Sequence, residues 1–559
     1  MVLGLVLAAP LAFNLRLIAT YGVNTPVFDQ WWMGYQFAQI TTHGFDREYV
    51  FRQANESRPA VPLLVSYALA QFTHWNSKVE MVLSQALICL TAVGLFALGR
   101  RTLEVSWPVA VALAGLSAAL LLSPVQDQSL LWGIQAILYY PAACLVGCLL
   151  ITGTGWRVST QVAACIALCW IATYSYANGM SLWLLVPWLF LVHWRRGTPL
   201  TRAATILAWM AAAGMTVWAY FDGYARPKNH PALDQAFAHA TDAAKSFVLY
   251  LGAPLSAGSN QADWAFAIGI VMLIVIGSML AWLGLSPRGR RVLPRSLPWL
   301  VFMAYGLVAG VAIVAGRLGF GVSYALASRY VAFSSCVYAA IFSLVAIWLR
   351  EAAPATRRVL VPLSVATALL IVALHVGSIR AVLPNYRDLR TARLQSKAAT
   401  WLIPVLPYPM LGPKITLYMA DEGARPIFEQ VNRLGWLPSG LLQDFRRGIV
   451  DATGSPRFGR VEQLSTDDGS VFRLSGWCVL AGRDEPCHAV LITAAFATGD
   501  ERACGVLFPS VHRPDVEVTG GSTRLHGWAG WSTCPDAVRL LVWSVDAEAR
   551  ALNLLPQPR

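Results

Sequence analysis

A carboxylate crowded by aromatic rings can take a proton, and arginines spaced along a glycine-rich loop can hold an anion. This chain has both. Asp29 stands in TPVFDQWWMGYQF, residues 25 to 37, among Phe28, Trp31, Trp32 and Tyr35. In so water-poor a setting a carboxylate anion is badly solvated and correspondingly basic. Asp is also a favoured helix N-cap, so the same residue can simply start a helix at Gln30, or pair with an arginine of its own loop. That loop, residues 21–78, also carries Asp46, Arg47, Glu48, Arg52, Glu56 and Arg58, and Glu56 is its second carboxylate suited to acid–base work.

Three more polar segments interrupt an apolar background. SPVQDQSLLWGIQ, 123 to 135, has Asp127 as its one acid. TYSYANGMS, 173 to 181, has no charge but gathers hydroxyls around the amide of Asn178. GRLGFGVSYALASRYVAF, 316 to 333, places Arg317 and Arg329 around a glycine-rich loop, with Ser328 and Tyr330 beside the second arginine. An arginine so placed can grip a phosphate through two N–H groups, or can anchor the end of a span by reaching its charge toward water. Asp29 and Glu56 are thus the candidate catalytic residues, and Arg58, Asp127, Asn178, Arg317, Arg329 and Tyr330 the candidate substrate-binding ones.

The elements that position these groups belong in a membrane. Hydrophobic residues make up 56% of the 559 and charged residues 13%, with a mean hydropathy of +0.52. A bilayer crossing needs about 20 apolar residues in helical form, because lipid offers no partner for free backbone groups. Eleven spans are predicted, near 2–20, 79–99, 105–123, 133–152, 158–174, 180–194, 203–221, 264–284, 297–316, 330–349 and 359–380. Those near 158 and 180 are short, and the pair Asn178-Gly179 marks a place to tilt or break. The first is read as retained, since no small-residue cleavage site precedes the polar loop.

The 43 Lys and Arg against 30 Asp and Glu do not point to nucleic acid, because the basic residues punctuate the spans. With the N-terminus in the cytoplasm, Arg100, Arg101, Arg157, Arg195, Arg196, Arg202, Arg288, Arg290, Arg291, Arg295, Arg350, Arg357 and Arg358 fall in cytoplasmic loops, as the positive-inside rule requires. All four polar segments and everything after about 381 then lie on the outer side. Within the first loop, DQWWMGYQFAQI sets Trp32, Tyr35 and Gln39 on one helical stripe, and AVPLLVSYALAQF, 60 to 72, is apolar but too short to span.

Past the spans, 381–456 reads as a Pro-rich neck with a short helix at RPIFEQVNRLG. From 457 to 559 the pattern turns to period-two alternation, in VFRLSGWCVL, HAVLITAAFA, RACGVLFP, TRLHGWAGWS and VRLLVWSVDA, as in a small β-sandwich. Trp477, Trp528 and Trp531 are read as its core and rim rather than as sugar-stacking platforms. Cys478, Cys487, Cys504 and Cys534 all fall in this tail, where an oxidising compartment favours disulfides, with three pairings open. The other six cysteines lie within spans as apolar filler.

No Walker loop, dinucleotide fingerprint, HExxH or paired CxxC occurs. Over roughly residues 1 to 380 the order of features resembles bacterial integral-membrane glycosyltransferases of the GT-C type, which take a sugar from a polyprenyl-phosphate donor on the outer face. TPVFDQWW looks like the acidic first-loop motif of that superfamily. NESRP, 55 to 59, and SPVQDQSLLWGIQ are similar to loop motifs of bacterial relatives closer to NEHR and WENxLWGFQ, with Ser57 here in place of the histidine and Gln128 where the pattern has glutamate. The resemblance implies a GT-C-like α-helical polytopic membrane domain with an extracytoplasmic β-sandwich-like domain behind it, in a bacterial inner membrane. It implies Asp29 as general base of an inverting transfer, and Arg329, with Arg58 or Arg317, as the charge that meets the departing phosphate. The partners would be a polyprenyl-phosphate-linked sugar, membrane lipid, and a glycan or protein acceptor such as lipopolysaccharide, O-antigen or another polysaccharide. No cofactor is required by these residues, and a divalent cation stays open. A lipid-linked sugar flippase and a non-catalytic membrane subunit are the competing readings. Transporters usually show internal repeats and ionisable groups at mid-membrane, and the spans here are nearly free of acids.

Overall fold

The computed structural model describes residues 2–190, 198–227, 230–231, 234–256, 261–403, 406, 408–411, 424–437, 449–451, 459–466, 470–480, 485–513, 526–548 and 551–558. It divides into two units. The first comprises Met1–Gly22, Phe45–Leu69 and Ser77–Tyr386; the second comprises Val23–Gly44, Ala70–Asn76 and Arg387–Arg559.

The first unit is helical. Among the described residues, seven helices are long and apolar enough to cross a membrane: Ser77–Thr102, Gly133–Thr152, Pro199–Phe221, Ala262–Leu285, Pro287–Phe320, Ser328–Glu351 and Pro354–Leu402. Each coincides with an expected span. The expected first span is the helix Val2–Tyr21. The other three expectations meet shorter helices, Trp107–Leu121, Val158–Thr173 and Ala177–Phe190, the last broken into turns from Asn178 onward as its Asn-Gly pair foretold. Arg195 and Arg196 lie outside the described residues.

Local chemistry sets the helix starts. Thr198 and Ser286 each accept a backbone N–H three residues on, from Thr201 and Gly289, and each is followed by a proline whose missing N–H costs nothing in a first turn. Burial then sorts the helices. Ser328–Glu351 is 89% buried over its apolar window and forms the centre, whereas Pro354–Leu402 is only 6% buried and turns its apolar side chains outward, as a lipid-facing helix does. Trp299, Phe302, Tyr305, Phe333 and Tyr338 fill the core around the central helix.

The two ends of the helix Pro287–Arg317 lie in different chemistry. Near its start, Arg295 pairs with Glu351 and, at 3.1 Å, with Glu104, and Arg350 reaches the same Glu104 at 2.7 Å. That is the end rich in arginines. About 33 Å along, at 1.5 Å per residue, Arg317 sits among the four polar segments.

In the second unit, the helix Gln30–His43 buries Trp31 and Phe37 against Trp75, Phe428 and Trp436, and Gln39 donates to Gln430 at 2.8 Å. The expected neck helix is present as Ala424–Arg433. Among the described residues, eight strands follow: β1 Ile449–Asp451, β2 Gly459–Thr466, β3 Val471–Cys478, β4 Ala489–Ala495, β5 Glu501–Leu507, β6 Gly527–Thr533, β7 Arg539–Asp546 and β8 Ala551–Leu554. They make one sheet in the order β1-β8-β7-β4-β5 and another in the order β2-β3-β6, with a shared core of Leu474, Val490, Ile492, Trp528, Leu540 and Val542. Each of the five expected segments contains a strand, TRLHGWAGWS from Gly527 on since its residues 523–525 lie outside the described residues, and the two sheets enclose one core as in a sandwich. Trp528 is buried at 1% exposure, Trp477 is half-buried and Trp531 lies at the rim with Arg473 4.3 Å from its ring. Cys478 and Cys487 form a disulfide; Cys504 and Cys534 are thiols.

Two boundaries differ from expectation. The helix expected to end near 380 runs on to Leu402, because RDLRTARLQSKAATWL has good helix formers and no breaker. The first outer loop is not one body: residues 23–44 and 70–76 pack with the C-terminal unit, and 45–69 with the helical unit.

Candidate functional site

Within the helical unit the four polar segments meet. NESRP is a tight turn: Ala54 and Ser57 exchange backbone hydrogen bonds of 2.7 and 2.9 Å, and Asn55 takes the left-handed conformation, φ 51°, that asparagine tolerates. Glu56 at the apex is gripped by both prongs of Arg317, at 2.5 and 3.1 Å, while His230 Nδ1 lies 2.6 Å from the same carboxylate. Burial alone would push the Glu56 carboxyl up, but Arg317 and His230 outweigh it and hold the group below the usual carboxylate range. Ser57 Oγ accepts the backbone N–H of Ala177, tying the first segment to the third. Arg58 spends its N–H groups on the carbonyls of Phe51, Tyr220 and Asp222, at 2.5–2.8 Å. It therefore ties the first loop's backbone to that of residues 220–222.

The second segment meets the fourth. Asp127 Oδ1 accepts from Ser328 Oγ at 2.5 Å and from the Gln128 N–H at 2.6 Å, and Oδ2 accepts from Asn385 at 3.2 Å. Asp127 is 5% exposed, and burial raises its carboxyl above the usual range against the pull of those three donors. The neighbouring residues pair likewise: Arg329 donates to the side-chain carbonyl of Gln128 at 3.1 Å. Its other prong donates to the Tyr324 hydroxyl at 2.6 Å, and its guanidinium lies 4.9 Å from the Tyr330 ring and 5.3 Å from that of Tyr324. Among the described residues no carboxylate pairs with Arg329.

Tyr330 accepts from Arg329 at 3.5 Å and is an electrostatic neighbour of Arg317. Tyr176, stacked on Phe333 with centroids 6.0 Å apart, lies within electrostatic range of Tyr330 and both arginines. The loop from Arg317 to Tyr330 is three short turns, 318–320, 322–326 and 328–330, joined at Gly321, whose φ of 113° only glycine takes readily. In the third segment a Cβ on Gly179 would lie 2.0 Å from the carbonyl oxygen of Ala172, so the turn there requires glycine. Asn178 Nδ2 is buried and, among the described residues, has no hydrogen-bond partner.

Asp29 belongs to the second unit. It immediately precedes the helix that starts at Gln30, is half-buried, and makes no capping hydrogen bond with its side chain. Phe28 before it is held at φ 48°, uncommon for an aromatic residue, with Arg393 5.2 Å from its ring. The helix start was foreseen; a side-chain cap is not what Asp29 supplies.

Glu56, Asp127, Arg317, Arg329 and Tyr330 are thus brought together, with Asn178 on the adjoining turn. His230, Tyr324, Gln128, Tyr176 and Asn385 complete the arrangement and were not singled out from sequence. Gln128 carried the one available signal, as the neutral residue at a position where the similar motifs have an acid. Among the described residues no three of His, Cys, Asp and Glu stand together as a metal group.

No protein-family model matches the chain, and no curated protein does. Two solved structures are similar. ArnT from Cupriavidus metallidurans, bound to undecaprenyl phosphate, is 13% identical with a TM-score of 0.38, covering 77% of this chain and 76% of that one. The archaeal oligosaccharyltransferase AglB from Archaeoglobus fulgidus, in complex with an inhibitory peptide and a dolichol-phosphate, is 14% identical with a TM-score of 0.35, covering 74% of this chain and 60% of that one. At these scores neither similarity decides the fold or the activity of this chain, which rest on its own residues.

Proposed function

We propose that the chain is a membrane glycosyltransferase of the GT-C type, moving a sugar from a polyprenyl-phosphate donor to a cell-envelope acceptor. The observation that carries this is Arg329, a cation with only neutral partners among the described residues, held by the second and fourth polar segments where the first also meets both Arg317 and the third, at the end of the helical unit away from its arginine-rich loops. A half-buried cation without an acid partner in that position favours an anionic group, and a lipid phosphate is the anion a membrane presents there. In the reaction the acceptor hydroxyl loses its proton and its oxygen bonds to the anomeric carbon. The bond from that carbon to the phosphate oxygen breaks, and the lipid phosphate leaves with the electron pair, inverting configuration.

A base is needed for that proton. Glu56 is held by Arg317 and made less basic, and Asp127 is filled by three donors. We assign the role to Asp29, as the resemblance of its aromatic motif implies. Removing a general base costs about 100- to 10,000-fold in rate. Asparagine is nearly isosteric but accepts no proton at neutral pH. Asp29→Asn should therefore insert and melt like the parent yet fail to transfer radiolabelled sugar from a synthetic polyprenyl-phosphate sugar. A variant keeping more than about a tenth of parental turnover would remove Asp29 from the mechanism. Absence of any transfer by the parent across donor sugars would remove the enzyme reading.

A further inference from the structure

Two adjacent residues of one loop hold two adjacent residues of another. Asp127 accepts from Ser328, and Gln128 accepts from Arg329. The backbone N–H of Gln128 also reaches Ser328 Oγ at 3.3 Å, and Asn385 donates to the far oxygen of Asp127, so the grip is closed on three sides. The two members of this grip differ in charge. The acid at position 127 faces a serine hydroxyl, and the residue facing the guanidinium is a neutral amide. Were the order reversed, Arg329 would be neutralised by an ion pair of the kind that Glu56 makes with Arg317.

We propose that Gln128 is a positioning residue that sets specificity: it aims Arg329 while leaving its charge for the ligand, so that this site selects a lipid by its phosphate. The proposal rests on the phosphate role given to Arg329 above and adds to it the residue that keeps that role open. Asp127 holds the grip by fixing Ser328, one residue before Arg329. Tyr324 and Tyr330 limit where the guanidinium can turn, through one hydrogen bond and two ring faces.

The test uses the full chain in detergent and two probes, a polyprenyl monophosphate without sugar and the corresponding polyprenol. Gln128→Glu keeps the size and the hydrogen bond but cancels the charge of Arg329, so affinity for the monophosphate should fall about 10- to 100-fold, the worth of a charge-assisted contact. Gln128→Ala removes the hydrogen bond and keeps the charge, and should cost only about two- to tenfold. Polyprenol should bind the parent and both variants alike. Melting temperatures should show Gln128→Glu at least as stable as the parent, because it gains an ion pair. A merely structural role for Gln128 predicts the opposite order, with alanine worse than the near-isosteric glutamate. That order, parental affinity in Gln128→Glu, or equal dependence on Gln128 for polyprenol and monophosphate, would overturn the proposal. If monophosphate binding follows the expected order but no sugar is ever transferred, the proposal stands and the glycosyltransferase reading falls. If sugar is transferred and Gln128→Glu leaves donor KM unchanged, the reverse holds.

Discussion

Arg317 ends one long apolar helix and Arg329 stands at the start of the central one, twelve residues apart, with Tyr330 a neighbour of both, yet they are opposites. Arg317 is closed: both prongs lie on Glu56, with His230 on the same carboxylate. Arg329 is open: an amide and a phenol hold it without cancelling its charge. Residue type and position at the end of a span therefore do not decide whether an arginine is neutralised. The charge of the side chain facing it does.

The contrast breaks first at activity. Arg329→Lys should lose most sugar transfer, about tenfold or more, because an ammonium cannot reproduce two directed N–H contacts; Arg317→Lys should be much milder. Equal tolerance at both positions in a transfer assay would erase the distinction. Stability should show the reverse order. Glu56→Gln leaves Arg317 partly buried without its anion and should cost about 1–3 kcal/mol, seen as a lower melting temperature in detergent, whereas removing the Arg329 side chain should cost less.

Acidity sharpens the comparison, since the two pairs carry pKa shifts of opposite sign. Glu56 is held below its ordinary 4.5, so its contribution to stability is full above that value and is lost as pH falls through the lower folded value. Asp127 is held above its ordinary 3.8, so its burial is a penalty at neutral pH that eases as pH falls through the raised value. Across a melting series from neutral to acid pH, Glu56→Gln should flatten the low-pH loss, and Asp127→Asn should abolish the gain that precedes it. The smallest effect belongs to the tie between segments. Ser57→Ala removes one acceptor of a backbone N–H, and should lower stability by about 1 kcal/mol with transfer nearly intact.

Much of this was legible. Polar islands between apolar runs named all four segments, and the helix-breaking Asn178-Gly179, the five strand segments and the start at Gln30 followed from local chemistry. The pairings were not, because Glu56 and Arg317 lie 261 positions apart and Ser328 and Asp127 lie 201 apart, beyond anything periodicity records. Asn385 was hidden because LPNYRD looks like the start of a neck, whereas it continues a helix of 49 residues. Arg58 shows the same limit: three of its N–H groups go to carbonyls that no sequence pattern marks.

The division of the first outer loop has a bearing on biosynthesis. Residues 23–44 leave the ribosome early, but the remainder of their packing unit begins, apart from 70–76, only at Arg387. About 340 residues must be made in between, roughly 17–70 s at ordinary elongation rates. Through that interval Trp31 and Phe37 lack Phe428 and Trp436, the rings that finally cover them. The nascent chain should therefore depend, for about a minute, on a holding chaperone or on the membrane surface itself to shelter this helix, and truncation before Arg387 should leave it an early target for proteases.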